Sequence, residues 1–238
     1  MIMNSLAIKA KFVLFFLMLH AIVLAQDSTK VNEYGLWIIS TPKAYIKYIA
    51  ANKNLQLVAI QKYIPTIKIK LYYATTNNFT KTTLYPTATK AYISKQAAIQ
   101  LQKVQLKLAQ DGLGLVIYDA YRPYSVTKKM WQIIPDDRYA ANPKYGSAHN
   151  RGIAVDVSLI ELKSGNTIEM GTAFDHFSDT AHHSFTALPN NILHNRKLLK
   201  NTMEQFGFTA LATEWWHYSL PKAKNDALFD IDFKQLKN

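Results

Sequence analysis

The 238-residue chain contains no cysteine. Disulfides, thiolate metal sites and a lipid anchor on a cysteine are thereby excluded, and any transition metal has only His, Asp and Glu to hold it. Negative charge is also scarce: 16 Asp and Glu stand against 28 Lys and Arg, a formal net charge of +12. The basic residues are scattered rather than clustered, which argues against a nucleic-acid partner and for no more than weak attraction to an anionic envelope. Internal repeats, low-complexity tracts and obvious linkers are missing too. A single domain is the simplest division of a chain this long, and it can bury a sizeable core.

Long apolar runs are absent except at the start, where Lys9 and Lys11 precede "FVLFFLMLHAIVLA". That run is short for a membrane span and ends in small residues, the pattern of a signal peptide over 1–25 cleaved after Ala25. Removing it lowers the formal charge by two, to +10. The expectation is an exported protein, periplasmic or extracellular, with no stable membrane insertion after cleavage. Residues 26–55 read as a polar, irregular N-terminal extension, and 56–238 as the functional domain.

What is present is a globular mixture, 49% apolar and 18% charged. β-Branched and aromatic runs from "VAIQKYIPTIKIKLYYATTNNF" onward predict strands broken by Pro65 and by the Asn77-Asn78 turn. Ser94 as a cap, an apolar face at Ala97, Leu101, Val104 and Leu108, and Gly112 as a stop predict a helix over 94–111. "LGLVIYDAY" is apolar on both faces, a buried strand ending at Arg122-Pro123. Further helices are expected from Ser125 through Trp131 and over 190–206. Strands and helices do not alternate regularly, so an α+β fold with a mostly antiparallel sheet is favoured.

"SAHNRGIAVDVSL", residues 147–159, carries an acid inside a strand pattern. Ile153, Val155, Val157 and Leu159 share one face, while Gly152, Ala154, Asp156 and Ser158 share the other. A buried carboxylate needs a cation, a metal or several donors. His149, seven residues earlier, suits a shared metal, but backbone amides would also satisfy Asp156. In "TEWWHY", Glu214 precedes His217 by three residues, and the aromatic content favours a strand with Glu214 at its entering turn. Alone, each pattern fits an ordinary rim residue. Together, His149, Asp156 and His217 make a His2Asp set, the usual count for a catalytic zinc. Glu214 is then a carboxylate outside the ligand set, as metal-dependent hydrolysis requires. Arg122 would add a fixed cation for a developing oxyanion; it also fits a structural salt bridge.

"YDAYRPYS", "SAHNRGIAVDVSL", "MGTAFDHFSDTAHH" and "TEWWHY" together resemble the D-alanyl-D-alanine dipeptidases, the VanX-type branch of the zinc D,D-peptidase superfamily. The likeness runs from about Tyr63 to about Phe233 and includes "YYATTNNFT". It implies a single Hedgehog/D,D-peptidase-like domain, one zinc per chain and hydrolysis of a small D-amino-acid dipeptide. It also implies zinc ligation by His149, Asp156 and His217, Glu214 as catalytic base and Arg122 as transition-state stabiliser. Asp175 matches the acid that reads the substrate ammonium, and Tyr73 and Ser147 match pocket residues. The segment between Arg122 and His149 is shorter than in some members, and Ala148 stands where others have serine. A peptidoglycan D,D- or L,D-carboxypeptidase or endopeptidase of the same superfamily is the alternative enzyme. A non-catalytic zinc-bearing binding module is the alternative outside the enzymes, disfavoured by the presence of Glu214 and Arg122.

Overall fold

The computed structural model describes residues 31–221 and 227–236. The expected signal peptide and its cleavage site lie outside the described residues. In chain order the elements are β1 (Ile38–Ile39), α1 (Pro42–Ala51), β2 (Leu57–Ala59), α2 (Ile60–Tyr63), β3 (Lys68–Ile69), β4 (Tyr92–Ser94) and α3 (Lys95–Ala109). There follow β5 (Leu113–Asp119), α4 (Tyr124–Ile133), β6 (Ala154–Glu161), α5 (Asn190–Gln205), β7 (Thr209–Ala210), β8 (His217–Ser219) and β9 (Leu228–Phe229). Five strands form one sheet in the order β3-β5-β6-β8-β7; only the β3/β5 pair is parallel. The architecture is α+β with a mostly antiparallel sheet, as the element pattern implied.

Local chemistry explains the ends of the main elements. Ser94 accepts a hydrogen bond from the Ala97 amide and so starts α3, satisfying an amide the helix itself leaves open. Ala97, Leu101, Val104 and Leu108 then pack on the sheet with Leu115, Ile117, Val157 and Leu159. From the other side of the chain order, Leu199 and Met203 of α5 enter the same cluster.

Two stretches differ from expectation. The run 57–74 forms two short strands, a helical turn at Ile60–Tyr63 and a 3-10 turn at Tyr72–Ala74, not extended strands. Pro65 has no amide to donate to a ladder, and β-propensity yields to the buried packing of Ile60, Ile64 and Ile67. Residues 31–55, expected to be irregular, contain α1. Thr41 caps α1 from its side chain with Pro42 beside it, and Tyr45 and Ile49 enter a second core cluster with Tyr121, Val126, Met130 and Phe229. Strand β1 pairs with β9 through Ile38 and Ile39, which also ties this segment to the C-terminal part. Phe174 packs against both clusters, and the site lies beside it.

Candidate active site

Strand register aligns the first part of the site. Asp119 on β5 is paired with Asp156 on β6, and Asp156 is paired with His217 on β8. Three neighbouring strands thus place two acids and an imidazole in one row. The register shift between Ile117 and Asp119 lets the end of β5 turn toward that row.

His149 comes from a 3-10 turn, His149–Arg151, wedged against the end of β5. Its Nδ1 lies 2.6 Å from the Ala120 carbonyl oxygen, and its own carbonyl accepts the Arg122 amide at 3.2 Å. Asn150 donates to the Arg122 carbonyl at 2.9 Å and to the Thr127 hydroxyl at 2.8 Å. Ser147 Oγ accepts the His149 amide at 3.1 Å. The turn closes on Gly152 at φ +66°, where an added Cβ would collide with the Leu57 side chain and lie 3.3 Å from the Ser94 nitrogen. Glycine is required there for conformation and for space.

The Ala120 carbonyl fixes the proton of His149 on Nδ1 and leaves Nε2 as a lone-pair donor. That Nε2 is 3.2 Å from His217 Nδ1 and 3.4 Å from Asp156 Oδ1, and Asp156 Oδ1 is 3.0 Å from His217 Nδ1. The three donor atoms lie within 4.8 Å of one another. Two imidazole nitrogens and a carboxylate oxygen converging on one point fit a divalent transition metal, and His149 has the second-layer carbonyl that orients such ligands. Burial alone would push the Asp156 carboxyl up, but His149 and His217 outweigh it and hold it well below the usual carboxylate range. Among the described residues this is the one group of three His, Asp or Glu side chains placed to hold a metal. The histidines at 176, 182 and 183 are outside it.

Glu214 sits in the turn before β8, and its Oε2 is 3.8 Å from His217 Nδ1. Burial raises its carboxyl to about 7, with His217 opposing the shift. Arg122, at the end of β5, is bound through Nε at 3.0 Å and Nη2 at 2.8 Å to Asp119 Oδ2, and Nη2 is 4.0 Å from Asp156 Oδ2. Asp119 is fully buried and accepts a further bond from Tyr85 Oη at 2.9 Å. The sequence reading missed Asp119, although it lies three residues before Arg122 in "YDAYR". An acid at the last position of an otherwise apolar strand was the available signal.

Asp175 adopts φ +57°, an uncommon conformation that Asp tolerates better than most residues. Its carboxylate accepts the Tyr73 hydroxyl at 3.0 and 3.1 Å. Burial, and then the charge of Asp156, push its pKa well above the ordinary value; a cation placed beside it would oppose that shift and favour the ionised carboxylate. The Arg122 guanidinium carbon stands 5.3 Å from the Tyr73 ring centre.

A cavity of about 290 Å³ is lined by Tyr73, Arg122, Ser147, His149, Asp156, Asp175, Glu214 and His217. All eight residues singled out in the sequence therefore face one small space. Phe79 and Tyr139 also line it, and Phe177 packs against both, edge-on to Phe79 and tilted on Tyr139, at ring-centre distances of 5.2 and 4.8 Å.

A His2Asp donor set with two buried members and a half-buried third, beside a carboxylate of raised pKa and a fixed guanidinium, is the machinery of a metallopeptidase, and that is the class of this chain. It belongs to the peptidase M15 family, described as D-Ala-D-Ala dipeptidase, whose sequence model matches residues 53–235. The chain is 36% identical over 179 residues to the D-alanyl-D-alanine dipeptidase of Escherichia coli (strain K12), covering 75% of this chain and 91% of that one. It is 31% identical over 167 residues to the D-alanyl-D-alanine dipeptidase of Enterococcus faecalis (strain ATCC 700802 / V583), covering 62% and 83%. Against the solved LD-carboxypeptidase LdcB the TM-score is 0.37 at 22% identity, covering 56% of this chain and 61% of that one.

Proposed function

We propose that this protein is an exported zinc dipeptidase that hydrolyses D-alanyl-D-alanine to two D-alanines in cell-wall peptide metabolism. The observation that carries the reading is the placement of Glu214: a half-buried carboxylate 3.8 Å from His217 yet outside the three-donor group. A pure binding module has no use for a base in that position.

His149 Nε2, Asp156 Oδ1 and His217 Nδ1 would hold the zinc. Bound there, zinc supplies Lewis acidity toward water and the scissile carbonyl. Glu214 accepts the proton of the attacking water and returns it to the departing amine nitrogen, so one group serves as base and then acid. Arg122, kept charged and immobile by Asp119, stabilises the negative charge that develops on the carbonyl oxygen. Asp175, with Tyr73, pairs with the free ammonium of the substrate. The small cavity suits a dipeptide, and Phe79 and Tyr139 add aromatic surface to its lining.

Export rests on the charged start and apolar run before Ala25. Among the described residues no helix is long and apolar enough to cross a membrane.

The test is hydrolysis by zinc-loaded mature protein of D-Ala-D-Ala, N-acetyl-D-Ala-D-Ala and muropeptides ending in D-Ala-D-Ala. The free dipeptide is expected to be cleaved and the other two poorly. Equal cleavage of the acetylated dipeptide would move the reading to a carboxypeptidase.

A further inference from the structure

Arg196 lies on α5, away from the metal donors, and is only 4% exposed. Among the described residues no carboxylate is paired with it. A buried guanidinium without a counter-charge is expensive, so its remaining contacts should show what it is for. Nε donates to the Met170 carbonyl at 2.7 Å, and Nη1 donates to the Thr180 and His182 carbonyls at 2.9 and 3.3 Å.

Those acceptors are the two ends of one segment. Residues 170–182 leave the neighbourhood of β6, carry Phe174 and Asp175, and return toward the turn before β8. One planar, rigid donor thus ties the beginning of the segment to its end, which a lysine ammonium on a flexible stem does poorly. Asp175 sits midway, in the left-handed backbone region that a short loop keeps only when its surroundings enforce it. The segment is also bonded to the neighbouring turn, through Trp215 Nε1 to Thr172 Oγ1 at 2.7 Å and the Trp215 amide to the Ala181 carbonyl at 3.1 Å. Among the described residues only Arg196 joins the two ends with one side chain.

We infer that Arg196 is a positioning residue for substrate selection: it closes the 170–182 segment so that the Asp175 carboxylate stands ready, beside Tyr73, for the ammonium of a dipeptide. The inference rests on the role proposed for Asp175 and adds the residue that fixes its place. Arg196 touches neither substrate nor metal. Its removal therefore acts on recognition of the amino terminus before it acts on bond cleavage.

The experiment compares wild type, Arg196→Lys and Arg196→Gln. In the absence of substrate, amide hydrogen exchange over 171–182 should quicken in both variants, while exchange in β5 and β6 stays as in wild type. With zinc loaded, metal content should remain at one per chain. KM for D-Ala-D-Ala should rise by about tenfold to a hundredfold, the scale of losing charge-assisted hydrogen bonds, while kcat changes much less. The preference for the free over the N-acetylated dipeptide should shrink, more in Gln than in Lys.

Unchanged exchange in 171–182 would overturn the inference whatever the enzyme cleaves. So would proportionate loss of zinc, kcat and fold in both variants, which would mark a general packing residue. A wild-type enzyme with no preference for the free dipeptide would instead overturn the Asp175 reading, while faster exchange in the variants still upheld the clamp.

Discussion

Asp119 stands directly opposite Asp156 on the adjacent strand, and both are buried. Like charges facing each other across strands repel, and Arg122, 2.8 Å from one and 4.0 Å from the other, offsets that repulsion. One guanidinium therefore serves the sheet and the cavity together. Removing its buried partner exposes the cost. Asp119→Ala should destabilise the fold by about 3–5 kcal/mol, the range for breaking a buried ion pair, and lower turnover because Arg122 loses its fixed place. Urea unfolding with an unchanged slope checks the first part. A loss below about 1 kcal/mol, typical of an exposed pair, would show that Asp119 is not what holds Arg122.

Gly152 governs the turn that presents His149. Gly152→Ala combines a left-handed backbone with a Cβ that collides with Leu57, two penalties of about 1–3 kcal/mol each. Gly165 has φ +73° and open space around its Cα, so Gly165→Ala carries only the conformational part. Thermal unfolding should show a clearly larger loss for Gly152→Ala, accompanied by weaker metal binding. Equal losses would mean that the turn has room to shift.

His183 gives stability a pH dependence. Burial first, then Lys200 and Arg196, lower its pKa from 6.5 to about 4. The fold favours the neutral ring, so the contribution is present above pH 6.5 and is lost as pH falls toward about 4. Unfolding free energies at a series of pH values should show the gap between wild type and His183→Gln narrowing across that window. Parallel curves would assign the acid sensitivity of the protein to other groups.

How much of the fold and site was legible in the sequence depends on how local each signal is. The helix over 95–109 was readable because Ser94 and four apolar positions at helical spacing are neighbours in sequence. Glu214 ahead of β8 was readable because the aromatic run Trp215, Trp216 and Tyr218 signals a strand after it, although the two tryptophans lie in the turn and β8 itself is His217–Ser219. Asp119 was not, because "LGLVIYDAY" is apolar on both faces and only the pairing of β5 with β6 shows which acid meets which. Helix α1 was overlooked for a different reason. Its buried residues, Tyr45 and Ile49, are few and interleaved with lysines, so no apolar face stands out at helical spacing. Arg196 was hidden altogether, since its acceptors are backbone carbonyls 14 to 26 residues away.

Glu214 decides the mechanism, because a base and a ligand at residues three apart respond differently to substitution. Glu214→Gln keeps size and hydrogen bonding but cannot take up a proton, and His149, Asp156 and His217 remain to hold the metal. Turnover of D-Ala-D-Ala by zinc-loaded Glu214→Gln should fall by at least the roughly 10²- to 10⁴-fold that general base catalysis supplies, with zinc still at one per chain by elemental analysis. His217→Ala, assayed alongside, should lose metal and activity together. Near-normal turnover in Glu214→Gln would make Glu214 a rim residue, and loss of its zinc would make it a ligand; either result contradicts the mechanism.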